Sequence, residues 1–360
     1  MKRIVIASVL KPVDDTRMFE KLGCSLADAE YEVHICGFPT LAKNQSKVFW
    51  HPLSHFSRIS WKRLMMPLTL YRKIKALKPA LLIITTHELL TIALLLKKEI
   101  DCKVIYDIQE NYYRNIRYGK SFPLASRLFV AAYVRLKERL CSGFIDHFFL
   151  AEKSYANELT FLREFTVLEN KATQPLVVNM NRGRRKLLFS GTLAETTGVF
   201  VAIDLATRLH AIDSGITLTI IGYAGEKCTR NQIQEYVFGK PFIKLMTGDS
   251  PIRHSFIIHE ITSADIGIIS YPANPSTSGS VPTKLYEYLA HRLPFLLINH
   301  SPWVQIASEY NAAVVFDDDH RAEEVFEEMT SKIFYATDLK VPTWEGEELR
   351  LKSAVQQLFA

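Results

Sequence analysis

Short apolar runs alternate with longer stretches of helical period over most of the chain. The opening reads strand "RIVIAS", loop "VLKPVDD", helix "TRMFEKLGCSLADA" and strand "EVHICGF", with Asp14, Asp15 or Thr16 placed to cap the helix. After a basic, aromatic-interleaved stretch, the pattern resumes with strand "ALLIIT", helix "ELLTIALLLKK" and strand "KVIYDI". A long helix "PLASRLFVAAYVRLKERLC", strand "DHFFLA", helix "EKSYANELTFL" and strand "FTVLE" follow. Strands that are apolar on both faces and separated by helices call for a parallel sheet covered on each side, so a doubly wound α/β domain is predicted over residues 1–170.

Between 171 and 185 the periodicity lapses into "KATQPLVVNMNRGRR", which reads as a linker. The alternation then returns: strand "KLLFS", turn "GTLAETT", helix "GVFVAIDLATRLHA", strand "ITLTIIG", helix "RNQIQEYVF", strand "FIKLM" and helix "FIIHEITSA". Strand "DIGIIS", loop "YPANPSTSGS", helix "PTKLYEYLAH" and strand "PFLLIN" complete a second lobe over 186–340. The tail "EELRLKSAVQQLFA", within 341–360, reads as a last amphipathic helix. A length of 360 residues agrees with two lobes, since one hydrophobic core rarely grows that large.

Composition narrows the class only modestly. Hydrophobic residues at 48% and charged residues at 23% describe an ordinary globular chain rather than a disordered one. A net charge of +6 suits a small anionic ligand or an anionic membrane surface as readily as nucleic acid. The five cysteines are scattered without a CxxC pair, so neither a disulfide framework nor a zinc site is expected and a reducing cytoplasm fits. The start "MKRIVIASVLKPVDD" lacks a signal h-region, and "ALLIITTHELLTIALLLKK" is broken by His87 and Glu88, so no membrane span is expected. Residues 317–320, "DDDH", could suggest a metal-binding pair, but they follow a strand and precede a helix, where aspartates cap; no metal is expected. The stretch containing Arg58, Lys62, Arg63, Arg72, Lys73, Lys75 and Lys78, interleaved with Phe56, Trp61, Leu64, Met65, Met66 and Tyr71, fits either an anionic bilayer or a solvated helix face.

In parallel α/β sheets ligands bind beyond the carboxyl ends of the strands. "SGTLAETTG" leaves a strand and enters a helix, so Gly191 can bring backbone close to a phosphate while the helix start near Thr197 and Gly198 offers free N–H donors. It is neither GxGxxG nor a Walker loop, which removes the main support for a dinucleotide oxidoreductase or a P-loop ATPase. On the helix begun by Pro282, Lys284, Glu287 and His291 share one face, and Leu285, Tyr288 and Leu289 another. A lysine in the first turn opposes the helix dipole and makes most sense beside a bound anion, while a carboxylate one turn on can accept from a vicinal diol. The plainer alternative is a solvated i, i+3 ion pair.

Taken together, "IISYPANPSTSGSVPTKLYEYLAHRLPFLL", "LLFSGTLAETTGVFVAI" and "KPVDDTRMFEKLGCSLADAEYEVHI" resemble the retaining glycosyltransferases of the GT-B fold, family 4 type. The resemblance implies two Rossmann-like lobes facing each other across a cleft, with the acceptor in the first, the nucleotide sugar in the second and the last helix crossing back to the first. It implies a UDP or GDP type of donor, a glycan or lipid-linked acceptor, no cofactor, no nucleic acid, and a cytoplasmic location that could include the inner membrane face. By resemblance Glu287 binds the ribose hydroxyls, Gly191 and Thr192 lie beside the diphosphate, and Ser280, Thr283 and Lys284 line the same site. Arg17 and Glu110 are substrate-binding candidates from the first lobe, and His87 joins Lys284 as a catalytic candidate. The chain departs from the family at Gly279, where the first glutamate of E-x7-E would stand, at Thr192 and Thr197 in place of an arginine and a lysine, and at Gln109 in place of a histidine. The alternatives are a non-hydrolysing nucleotide-sugar epimerase and a nucleotide-binding paralogue without turnover.

Overall fold

The computed structural model describes residues 1–360 other than 45, 55, 57–59, 120–121, 176–177, 180–181, 249–251, 276–278, 318–320 and 337–338. Arg58 of the basic stretch and most of the "DDDH" run thus lie outside the described residues. The chain forms two compact units, Met1–Asn170 with Trp344–Ala360, and Lys171–Thr343.

The first unit is built on strands β1 (Arg3–Pro12), β2 (Glu32–Phe38), β3 (Phe49–Pro52), β4 (Leu81–Ile84), β5 (Lys103–Ile108), β6 (His147–Leu150) and β7 (Phe165–Val167). They pair in parallel in the order β3-β2-β1-β4-β5-β6-β7. Alternate residues feed opposite faces, as the two-residue period of a strand requires. Val5, Leu82, Val104 and Phe148 pack under the inner sides of helices Trp61–Leu77 and Leu90–Ile100. Ile4, Leu81, Ile105 and Phe149 meet Met18, Leu22, Leu351 and Val355 on the other face. The last helix, Trp344–Phe359, belongs to this second face, where Trp344 Nε1 donates to Ser25 Oγ at 2.9 Å.

The second unit carries β8 (Lys186–Thr192), β9 (Thr217–Tyr223), β10 (Ile243–Gly248), β11 (Ile266–Ile269), β12 (Phe295–Ile298) and β13 (Ala313–Phe316). All pair in parallel, in the order β10-β9-β8-β11-β12-β13. One core gathers Phe189, Ile220, Ile268 and Leu296 with Val199, Leu285 and Tyr288 from the covering helices. Both units therefore have the doubly wound α/β architecture that the alternating pattern predicts.

Several local expectations change. Strand β1 continues through "VLKP", because Pro12 pairs with Phe38 after a register shift, where a loop is predicted from Val9. Asp15 is the residue that caps the following helix, its carboxylate accepting from the N–H groups of Arg17 and Met18 at 3.1 Å each. The predicted helix over 152–162 is a single turn, Tyr155–Glu158. Strand β3 and helices Tyr112–Tyr118 and Ser301–Glu309 are additional.

Candidate nucleotide-diphosphate site

In each sheet the strand order reverses once, between β1 and β4 in the first unit and between β8 and β11 in the second. The crevice at such a reversal, at the carboxyl ends of the strands, is where an open α/β sheet admits a ligand. In the second unit the two segments that leave this point are Gly191–Gly198, after β8, and the loop into helix Thr283–Ala290, after β11.

Polar stitches hold these segments together. Ser190, the residue before Gly191, shares a hydrogen bond of 3.0 Å with the Tyr288 hydroxyl. Ser270 Oγ donates to the carbonyl of Gly198 at 2.8 Å, tying the end of β11 to the start of helix Val199–Ile212. Gly198 adopts φ +77°, and a Cβ there would overlap the Ser270 carbonyl oxygen, so only glycine fits. Gly191 also lies in the left-handed region, at φ +103°. Trp303 Nε1 donates to the Ser280 carbonyl at 2.8 Å, pinning the loop just before Thr283. Thr197 Oγ1 donates to the Thr192 carbonyl at 2.7 Å, so two threonines close this turn.

Lys284 is only 5% exposed, which rules out the solvated ion pair. Its amine lies 3.9 Å from the Phe189 ring centroid and 5.1 Å from that of Tyr271. Its stem runs beside Gly191, since a Cβ built on that glycine would lie 3.6 Å from Lys284 Cε. The amine has no hydrogen-bond partner among the described residues. Burial pushes its pKa down from 10.5 to about 7, only partly opposed by the charge of Glu287. A buried ammonium facing two rings, with no hydrogen-bonded partner among the described residues, is an expensive arrangement unless an anion completes it.

Glu287 is 8% exposed, and its Oε1 is bound at 3.0 Å by His254 Nε2, from the start of helix His254–Ser263. Sequence reasoning missed His254; the available signal was its position after β10, at the carboxyl end of the sheet. His291, on the predicted charged face, is buried, and its carbonyl accepts from Arg182 Nη2 at 2.9 Å. Its ring is pushed toward the neutral form by burial.

The first-unit candidates follow the carboxyl ends of β1, β4 and β5. Arg17 is buried and committed: Nε and Nη2 donate to Asp107 at 2.6 to 3.1 Å, and Nη1 donates to the Leu168 carbonyl and to Asn170. Such a guanidinium ties β5 to the segment after β7 and is spent as a free cation, so it leaves the ligand-facing set. Glu110 is exposed and accepts from Asn115 Nδ2 at 2.9 Å. His87 follows β4, stacks edge-on against Tyr112, and has a buried Nδ1 without a partner among the described residues. Burial lowers its pKa, so its ring is neutral near pH 7. The adjacent Glu88 is held by Arg63. Among the described residues, no group of three or more His, Cys, Asp or Glu side chains is arranged to hold a metal ion.

No protein-family model matches the chain, and no curated protein matches it in sequence. Solved structures do match in fold. The chain is similar to sucrose-phosphate synthase from Thermosynechococcus elongatus at 13% identity and TM-score 0.69, covering 100% of this chain and 99% of that one. It is similar to Anabaena HepE, solved in complex with UDP-glucose, at 10% identity and TM-score 0.68, covering 99% and 100%. A Listeria monocytogenes protein assigned as a UDP-N-acetylglucosamine 2-epimerase matches at 11% identity and TM-score 0.65, covering 100% and 97%. At these identities the likeness establishes the fold: two parallel α/β sheets of seven and six strands, of the GT-B type.

Proposed function

We propose that the chain is a glycosyltransferase that moves a sugar, with retention, from a UDP- or GDP-type nucleotide diphosphate sugar to a glycan or lipid-linked acceptor in cell-surface polysaccharide or glycoconjugate biosynthesis. The observation that carries the reading is Lys284: a buried amine without a hydrogen-bond partner among the described residues, set against Gly191 at the strand-order reversal. In this reading the diphosphate supplies the hydrogen-bonded anionic partner that the amine lacks among the described residues. The donor's phosphates lie along Gly191, Thr192 and the first N–H groups of helix Val199–Ile212, where the helix dipole also favours an anion. Ser280 and Thr283 border the same position, and Glu287, oriented by His254, accepts from the ribose diol.

During transfer the acceptor oxygen bonds to the anomeric carbon as the bond from that carbon to the diphosphate oxygen breaks. The bonding pair leaves with the nucleoside diphosphate, and the acceptor proton passes to the departing phosphate oxygen. Negative charge grows on the diphosphate in this step, so a cation already in place in a site shielded from water stabilises the transition state more than the ground state. No metal ion or cofactor enters this proposal. His87, whose Nδ1 has no hydrogen-bond partner among the described residues and whose pKa burial lowers, is the first-unit group we assign to receive a hydrogen bond from an acceptor hydroxyl.

Two observations support other readings on the same fold. The match to an epimerase allows chemistry on the sugar without transfer. Gly279 and Thr192, standing where the resembled family has acidic and basic groups, allow nucleotide binding without turnover. Incubation with UDP-, GDP- and ADP-sugars, followed by NMR of the products, separates the three. A new glycoside with the donor's anomeric configuration supports transfer; an epimerised sugar, or donor left intact while bound, contradicts it.

A further inference from the structure

Two helices of the first unit carry apolar residues on the side facing away from the sheet. On Trp61–Leu77 the inward residues Met66, Leu70 and Ile74 belong to the core, whereas Trp61, Leu64, Met65 and Leu68 are exposed. The exposed four fall at i, i+3, i+4 and i+7, a complete helical stripe. Phe56 and Met66, expected in such a stripe from the sequence, are instead buried. On Leu124–Ser142 a second stripe exposes Phe129, Tyr133, Leu136 and Leu140 while Ala131, Val134 and Cys141 point inward. Trp61 is 82% exposed and Phe129 76%, far beyond what a scattered surface apolar residue needs.

Helix Leu90–Ile100 packs against both of these helices, so the stripes lie on one side of the same sheet. Leu95 on that helix and Phe144 after Leu124–Ser142 are exposed too. The charge around the stripes is predominantly positive, with Glu88 paired to Arg63 and Glu99 to Lys75. Trp61–Leu77 contains Lys62, Arg63, Arg72, Lys73 and Lys75 and no acidic residue. Leu124–Ser142 contains three arginines, one lysine and a single acidic residue, Glu138, which is buried against the Tyr106 hydroxyl.

We propose that this face docks the chain on an anionic lipid bilayer, with Trp61 and Phe129 entering the headgroup region and the flanking lysines and arginines meeting acidic headgroups. Apolar and aromatic residues on one side with Lys and Arg beside them is the composition of a helix lying in a membrane interface. A second copy of the chain is disfavoured as occupant, because a two-fold contact would bring this basic face against itself. No helix among the described residues is long and apolar enough to cross a membrane, so the contact is peripheral. The inference does not rest on the nucleotide site.

The test is cosedimentation of the full chain with vesicles of phosphatidylcholine alone and of phosphatidylcholine with about 30% phosphatidylglycerol. Binding to the anionic vesicles should exceed binding to neutral ones by about tenfold near 0.1 M salt and fall as salt rises. Trp61→Ser and Phe129→Ser, on separate helices and both on the surface, should each reduce the partition coefficient about fivefold or more with an unchanged melting temperature. Equal binding to both vesicle types, or wild-type binding by both folded variants, overturns the proposal. So does a dimer in sedimentation velocity that Phe129→Ser dissolves while vesicles are ignored.

Discussion

Replacing Lys284 by methionine should make the protein more stable and less active. Methionine keeps most of the apolar stem beside Phe189 and Gly191 and removes only the amine. The fall of the amine's pKa from 10.5 to about 7 corresponds, at about 1.4 kcal/mol per factor of ten, to roughly 5 kcal/mol against the charged form. Glu287 keeps its hydrogen bond to His254, so the substitution strands no carboxylate. The melting temperature at pH 7 should therefore rise by several degrees, at about 2–4 °C per kcal/mol. The sign with pH is fixed: between about pH 7 and 10.5 the unfolded chain holds this proton and the folded chain releases it, so wild-type stability gains from rising pH. The advantage of the variant should accordingly shrink as pH approaches 10. Turnover should fall about 100-fold, as when one preorganised electrostatic donor is removed. Calorimetric melting and nucleoside diphosphate release from the donor provide the two readouts. A variant that melts lower than wild type, or whose turnover is within threefold of it, refutes the reasoning.

Glu287→Gln, which retains an acceptor for His254, should raise KM for the donor about tenfold and leave kcat nearly unchanged, because ribose hydroxyls change little during transfer; steady-state kinetics checks this. Gly198→Ala should abolish cooperative folding of the second unit or lower its melting temperature sharply, since the new Cβ meets the Ser270 carbonyl; circular dichroism would register it. Arg17→Met should cost about 3–5 kcal/mol in denaturant unfolding by leaving the fully buried Asp107 without its cation and with the Gln109 amide still donating to it, where a ligand-binding arginine would cost little stability.

The fold was legible where periodicity is decisive. Runs such as "KVIYDI" and "EVHICGF" are apolar on both faces because helices cover both sides of each sheet, and their bounds match β5 and β2. Strand β3, "FWHP", escapes because a four-residue edge strand ending in proline has neither the length nor the alternation to signal itself. The stretch over 152–162 has helical period but holds its shape for only one turn before the chain is needed at the edge of the sheet. In the site, the residue types of "PTKLYEY" and "SGTLAETT" were readable, but not that Lys284 and Glu287 are buried. Burial there follows from neighbours distant in sequence: Phe189 on β8, Tyr271 after β11 and His254 after β10. Arg17 misleads for the same reason, since its partner Asp107 lies 90 residues away. The outward stripe on Leu124–Ser142 was hidden because that helix is apolar on several sides, and only packing tells which side the sheet takes.

The most direct measurement is calorimetric titration of UDP, GDP and ADP into the wild-type protein and Lys284→Met at pH 8, in buffers of different ionisation enthalpy. At that pH the free amine is mostly neutral, and a diphosphate that seats against it must draw a proton onto it. The account predicts that at least one nucleoside diphosphate binds wild type with uptake approaching one proton, and that Lys284→Met binds more weakly with no uptake. Binding without proton uptake, equal binding by the variant, or no binding of any of the three would contradict the assignment of this site.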